Sequence, residues 1–148
     1  MKKNLIITEK GVMSKKDSAS RRGRSSKNKG ASFERKLAKI FKEAFGIDFV
    51  RTPLSGGFAR NMDGAEGFRG DIVPADRDAV FLLHVEAKNA KVWSFPRWMA
   101  QAEADAPEGK IPIVVAHKHG TSKSYVLINL IDFLDLIPLD KIIKGGVK

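Results

Sequence analysis

The chain contains no cysteine, which excludes a disulfide framework and a thiolate zinc site and suits a reducing intracellular setting. Long hydrophobic runs are also missing. The apolar stretch after Lys3 is only Leu5-Ile6-Ile7, too short for the core of a signal peptide. The longest apolar stretch, Tyr125 to Leu139, is interrupted by Asp132 and Asp135 and falls short of a bilayer span. A cytoplasmic protein without a membrane partner is therefore expected. Acidic residues are scarce at one end. Met1 to Gly30 holds ten basic and two acidic residues, net +8, whereas the remainder of the 148 residues contributes only +2 to the total of +10. Such a length suits one core. The chain thus reads as a nearly neutral domain carrying a basic leader, and the concentrated positive charge points first to nucleic acid and second to an anionic membrane surface.

The stretch from Ser14 to Gly30 is rich in Lys, Arg, Ser and Gly and has almost no large apolar group. It cannot bury enough surface to offset its ordering entropy, so residues 1–30 are expected to form a flexible, disordered arm and residues 31–148 the folded domain. Ser32 is a candidate N-cap, Phe33, Leu37, Ile40, Phe41 and Ala44 follow helical spacing, and Gly46 ends the helix. Arg35, Lys39 and Lys42 fall on the opposite side. Glu34 projects at the edge of the apolar face, an inconsistency of the kind that marks function. Strands are predicted at Ile47–Arg51, Asp71–Ala75 and Ala79–Lys88, with a turn at Asp76–Asp78. A second helix starts after Ser94 with an apolar stripe of Phe95, Trp98, Met99 and Ala102. Two more strands, Ile111–His117 and Ser124–Asn129, precede a short helix at Ile131–Leu136. The order αβββαββα implies an α/β fold, a mixed sheet flanked by helices. The Thr52–Gly70 connection, with five glycines, is long enough to suggest a functional loop.

The third strand carries the chemistry. Alternation puts Phe81, Leu83, Val85 and Ala87 on one face and Leu82, His84, Glu86 and Lys88 on the other. If it pairs with the strand opened by Asp71, Asp71 and Glu86 come side by side, although counting from the turn leaves a mismatch of three residues. Two adjacent carboxylates repel, and a cation relieves that repulsion. Mg²⁺ accepts oxygen ligands and retains water, so Asp71, Glu86 and a backbone carbonyl would suit it. Such an ion activates water and stabilises charge on a phosphodiester. Lys88 would position the water or neutralise phosphate. Glu34 is either a third acid or a first-turn acid favouring the helix dipole. His84 is expected to pack beside the site without acting. Trp93 and Trp98 are read as core or interface residues.

Gly70-Asp71 followed by Glu86-Ala87-Lys88 resembles the D…(D/E)xK signature of the PD-(D/E)XK nuclease superfamily. Within it, Lys29-Gly30-Ala31-Ser32-Phe33-Glu34-Arg35 and Arg51-Thr52-Pro53-Leu54-Ser55-Gly56 resemble the KG-x-x-x-ER and R-x-P-x-SG segments of archaeal-type Holliday junction resolvases. The likeness runs from Lys29 to Gln101. It implies a restriction-endonuclease-like fold and a homodimeric, Mg²⁺-dependent endodeoxyribonuclease (Mn²⁺ substituting) that hydrolyses phosphodiester bonds at four-way junctions, with no small-molecule cofactor. It further implies metal ligation by Glu34, Asp71, Glu86 and the Ala87 carbonyl, and catalytic roles for Lys88 and Ser55. Arg51 and Gln101 would contact DNA, although Gln101 also suits an ordinary exposed helix position. Lys29, Arg35, Arg21, Arg22, Arg24, Lys27, Arg60 and Arg69 complete the expected DNA-binding set. The gene would serve a cell or a phage equally, placing the product in the host cytoplasm in the latter case. The rival expectations are another restriction-like or flap nuclease of the same fold, and a non-catalytic basic DNA-binding protein.

Overall fold

The computed structural model describes the backbone of residues 5–8, 11–52 and 70–138, and the side chains of 26–52 and 70–138. Its centre is a five-stranded mixed sheet of β3 (Phe49–Arg51), β4 (Ile72–Pro74), β5 (Leu83–Ala90), β6 (Ile111–Lys118) and β7 (Ser124–Ile128), in that spatial order. β3–β4 and β4–β5 are antiparallel, β5–β6 is parallel, and β6–β7 is antiparallel. The single parallel step requires a crossover, which α2 (Phe95–Asp105) supplies. α1 (Lys15–Phe45) precedes the sheet and α3 (Leu130–Leu136) follows it. The α/β fold expected from the residue pattern is the one observed.

Register separates the two faces. Val85 of β5 pairs with Ile72 and Ile113, and Ile113 pairs with Ile128. This row faces α1 and forms the main core with Phe33, Leu37, Ala38 and Phe49. Each large apolar side chain buried there contributes about 1.5–3 kcal/mol relative to exposure. Phe41, Phe45, Phe49 and Phe81 close one end through ring contacts of 5.0–6.4 Å. The opposite face carries Val114 and Ala116, which are buried together with Ala102 of α2.

Several boundaries differ from the sequence pattern. α1 begins at Lys15, so Ser32 is interior to a helix rather than its cap. Lys and Arg are good helix formers, which lets the helix continue upstream of the positions that bury it. Ser26–Lys29 are exposed, and the first buried side chain among the described residues is Phe33. Upstream, β1 (Leu5–Thr8) and β2 (Gly11–Ser14) pair as a hairpin that had no counterpart among the expected elements. β5 starts at Leu83 and not Ala79. Ile40 and Ala44 are exposed because Phe33, Leu37, Ala38 and Phe41 already cover the sheet. No described helix is long and apolar enough to cross a membrane.

Candidate active site

Ile72 pairs with Val85, and Asp71, one residue before β4 begins, lies against β5 beside Glu86. Two hydrogen bonds hold that arrangement. The Asp71 N–H donates to the Val85 carbonyl at 2.7 Å, and the Ala87 N–H donates to Asp71 Oδ2 at 2.8 Å. The three-residue mismatch is absorbed by Ala79–Leu82, which lie outside the strand, after a turn in which Asp78 N–H donates to Asp76 Oδ1 at 3.0 Å. N–H and C=O of one strand residue point the same way. The Ala87 carbonyl is therefore directed to the Asp71 side as well.

Gly70 makes this approach possible. Its φ is +105°, and a Cβ there would lie 3.2 Å from the Val85 carbonyl oxygen and 3.3 Å from His84 Nδ1. Proline, fixed near φ of about −65°, cannot take this conformation. Thr52, which the sequence did not single out, ties β3 to the same point. Its hydroxyl donates to the Gly70 carbonyl, and its N–H donates to the Asp71 carbonyl at 3.1 Å. Thr52 is fully buried, but nothing in its local sequence distinguishes it from a loop threonine.

Glu86 and Lys88 project from the α2 face, as the alternation predicts. Lys88 Nζ donates to Glu86 Oε1 at 2.6 Å and to Gln101 Oε1 at 3.0 Å. Gln101 Nε2 donates to Glu86 Oε1 at 2.9 Å, closing a triangle of three side chains. α2 thus brings Gln101 against the acid–lysine pair, a contact that helical periodicity cannot reveal because it depends on how α2 packs across the sheet.

Asp71 and Glu86 are both buried. Burial, followed by repulsion from Glu86, pushes the Asp71 carboxyl up to about 7; Glu34 adds to the rise, while the Ala87 N–H and Lys88 oppose it. Glu34 approaches from the other face of the sheet. It belongs to α1, is nearly buried, and accepts a hydrogen bond from Arg51 Nε. Among the described residues, no three acidic or histidine side chains gather as a metal-binding group. Glu34 is instead satisfied by Arg51. The donor set that remains is the Asp71–Glu86 pair with the Ala87 carbonyl. It consists only of oxygens, sets two carboxyl groups against the single Lys88 ammonium, and fits a hard divalent cation that keeps water in its other positions.

The remaining expected site residues are dispersed. Lys27, Lys29 and Arg35 lie exposed along α1, and the Lys29 carbonyl accepts from Asn89 Nδ2 at 3.5 Å. Of the basic stripe, Lys42 lies 2.5 Å from Asp48 and Lys39 4.0 Å from Glu43. Arg21, Arg22 and Arg24 fall within α1, but their side chains, like Ser55, Arg60 and Arg69, lie outside the described residues. His84 is buried beside Gly70. His117 stacks on Phe33 at 5.1 Å and contacts Ser124 Oγ at 3.2 Å, so it packs on the α1 face.

A family model described as "Phage putative PDDEXK endonuclease" matches residues 25–141, from the exposed part of α1 to beyond α3. The chain belongs to this family. Membership supports the PD-(D/E)XK superfamily and a nuclease of the restriction-like fold, and divalent metals are the usual cofactors of such enzymes. Comparison with curated proteins and with solved structures gives no match. Within this PD-(D/E)XK endonuclease family, the carboxylate pair and lysine described above sit where the D…ExK signature falls in the chain.

Proposed function

We propose that this PD-(D/E)XK protein is a divalent-metal-dependent DNA endonuclease that acts as a homodimer on four-way junctions. The observation that carries the reading is the buried Asp71 held on β5 by the Val85 carbonyl and the Ala87 N–H, close enough to Glu86 for the two charges to repel, with Lys88 bonded to Glu86 and the Asp71 carboxyl raised to about 7. Asp71, Glu86 and the Ala87 carbonyl would hold the cation. When bound, a divalent ion supplies Lewis-acid stabilisation of the phosphate charge and eases ionisation of water. Lys88 presents its ammonium group to the scissile phosphate or to the attacking water. Hydrolysis adds hydroxide to phosphorus and breaks the P–O bond, and the departing oxygen takes up a proton. Gln101 orients both Glu86 and Lys88. Arg51 would turn from Glu34 towards phosphate, with Ser55 nearby, as the resolvase resemblance implies. Junction preference is supported by the Lys29–Arg35 and Arg51–Gly56 motifs, and two symmetric sites suit two strand nicks.

Purified protein is expected to nick a synthetic four-way junction with Mg²⁺ or Mn²⁺, to stop on chelation, and to leave linear duplex intact at moderate salt. Asp71→Asn and Glu86→Gln should each abolish cutting while retaining junction binding. Cutting retained in both variants would overturn the metal assignment. A preference for flap or single strand over junction would replace the junction with another branched substrate.

A further inference from the structure

A second feature lies on the same sheet face as Glu86 and Lys88. Beyond the C-terminal ends of β5 and β6, an open cleft of about 490 Å³ is lined by Lys91, Trp93, Lys118, Thr121, Lys123 and Tyr125. Three of these six are ammonium groups and none is an acid. Two are aromatic. The Trp93 and Tyr125 rings lie 5.4 Å apart at 71°, two walls close to a right angle. Trp93 is braced from behind by Phe95 at 5.0 Å, and Phe95 by Trp98 at 5.9 Å. The β6–β7 turn is internally fixed, because the Thr121 N–H and hydroxyl both donate to the Lys118 carbonyl, at 3.1 and 2.9 Å. His119 N–H ties that turn to the Ala90 carbonyl at 3.2 Å, and Gly120 turns the chain at φ +86°. The cleft is therefore largely preformed.

Its position matters as much as its lining. Lys88 pairs with Ala116, and Ala116 with Tyr125, so Tyr125 sits on the Lys88 face two strands across. At about 4.8 Å per strand, the aromatic wall stands roughly 10 Å from the backbone that carries the lysine. A phosphodiester chain crossing Lys88 reaches the cleft within a few nucleotides. Aromatic faces stack any base sequence-tolerantly, and lysines neutralise its flanking phosphates. Both surfaces are available to a base only when it has left its own stack.

We propose that this cleft receives an unpaired nucleotide of the cleaved DNA, its base against Trp93 and Tyr125 and its phosphates on Lys91, Lys118 and Lys123. The inference rests on the nuclease reading and sharpens it. The preferred substrate would be DNA that offers an unstacked base beside the cut, as a branch point or bulge does and a continuous duplex does not.

The test is binding of the full chain in chelator, so that no cutting occurs. Two duplexes of equal length would be compared, one fully paired and one with a single unpaired 2-aminopurine nucleotide. Wild type should prefer the unpaired site by about tenfold, with the probe's fluorescence and Trp emission changing together. Tyr125→Leu, and separately Lys118→Gln with Lys123→Gln, should bring that ratio close to one; both alter exposed residues, and melting curves verify folding. Trp93→Leu should do the same. An undiminished ratio in these folded variants would overturn the proposal. So would poly-glutamate occupying the cleft and poly-glutamate binding being lost with Lys118→Gln and Lys123→Gln but not with Tyr125→Leu, while the DNA ratio stayed at one. The nuclease reading fails independently: a chain that cuts no DNA with any divalent metal but keeps the tenfold ratio retains the cleft and loses the catalysis, whereas a cutting enzyme with no ratio loses only the cleft.

Discussion

At the scale of single residues, Asp71 has the most to say about conditions. Its carboxyl titrates near 7 in the folded protein, above the ordinary 3.8, chiefly because it is buried and faces Glu86. The folded state therefore holds a proton that the unfolded chain releases. Asp71 consequently weakens the fold progressively as pH rises from about 4 to about 7, and fully above that. In chelator, Asp71→Asn should raise the melting temperature at pH 8 by several degrees and leave it nearly unchanged at pH 4, as calorimetry would show. A cation must displace the same proton, so Mn²⁺ affinity, measured by titration calorimetry, should fall by up to about tenfold per pH unit below 7. The asparagine variant should lose that pH dependence together with the affinity. Gln101 acts differently, through the groups it touches. Gln101→Ala frees Lys88 and Glu86 from their shared contact and should lower the cleavage rate roughly 10–100-fold without unfolding the protein. Single-turnover kinetics on a junction would measure it.

At the scale of elements, the β5 strand and the two helices divide the work between faces. α1 supplies the apolar support under Val85, while α2 supplies Gln101 on the other side. Leu37, almost wholly buried in that support, should cost about 2–5 kcal/mol when changed to alanine, read from urea unfolding. The sheet elements were legible as short apolar runs bounded by turn residues, the faces of β5 from its alternation, and the nearness of Asp71 to Glu86 from a hairpin counted from Asp76–Asp78. The start of β5 was not legible: Ala79–Leu82 continue the apolar pattern yet leave the ladder. The Glu34–Arg51 contact was also hidden, since helix spacing gives the edge on which Glu34 lies but not its partner across the β3 end. Gln101 shows the same limit, an exposed helix position made significant only by the packing of α2.

At the scale of the whole molecule, the charge is polarised, with net +8 in the first thirty residues of a chain at +10. Lys27 and Lys29 extend from the exposed part of α1, continuing the basic character of the segment that contains Arg21, Arg22 and Arg24. If this end meets phosphate, DNA binding is steeply salt-dependent. Changing Arg21, Arg22, Arg24 and Lys27 to glutamine should reduce the slope of log affinity against log salt by about 3 units, with little change in substrate preference. An unaltered slope in a fluorescence-anisotropy salt series would remove this end from the interface. The charge asymmetry and the α/β class were plain from composition and pattern, whereas the β1–β2 hairpin was not, its strands being only four residues each.

Gly70 gives the molecule an unusual genetic vulnerability. Any single-base change away from a glycine codon that alters the amino acid installs a β-carbon, and at this position that carbon would wedge between the two backbones whose closeness sets the spacing of the acids. A residue with no functional group thereby governs the spacing of the two carboxyl groups beside it, and its loss would leave both side chains present but displaced.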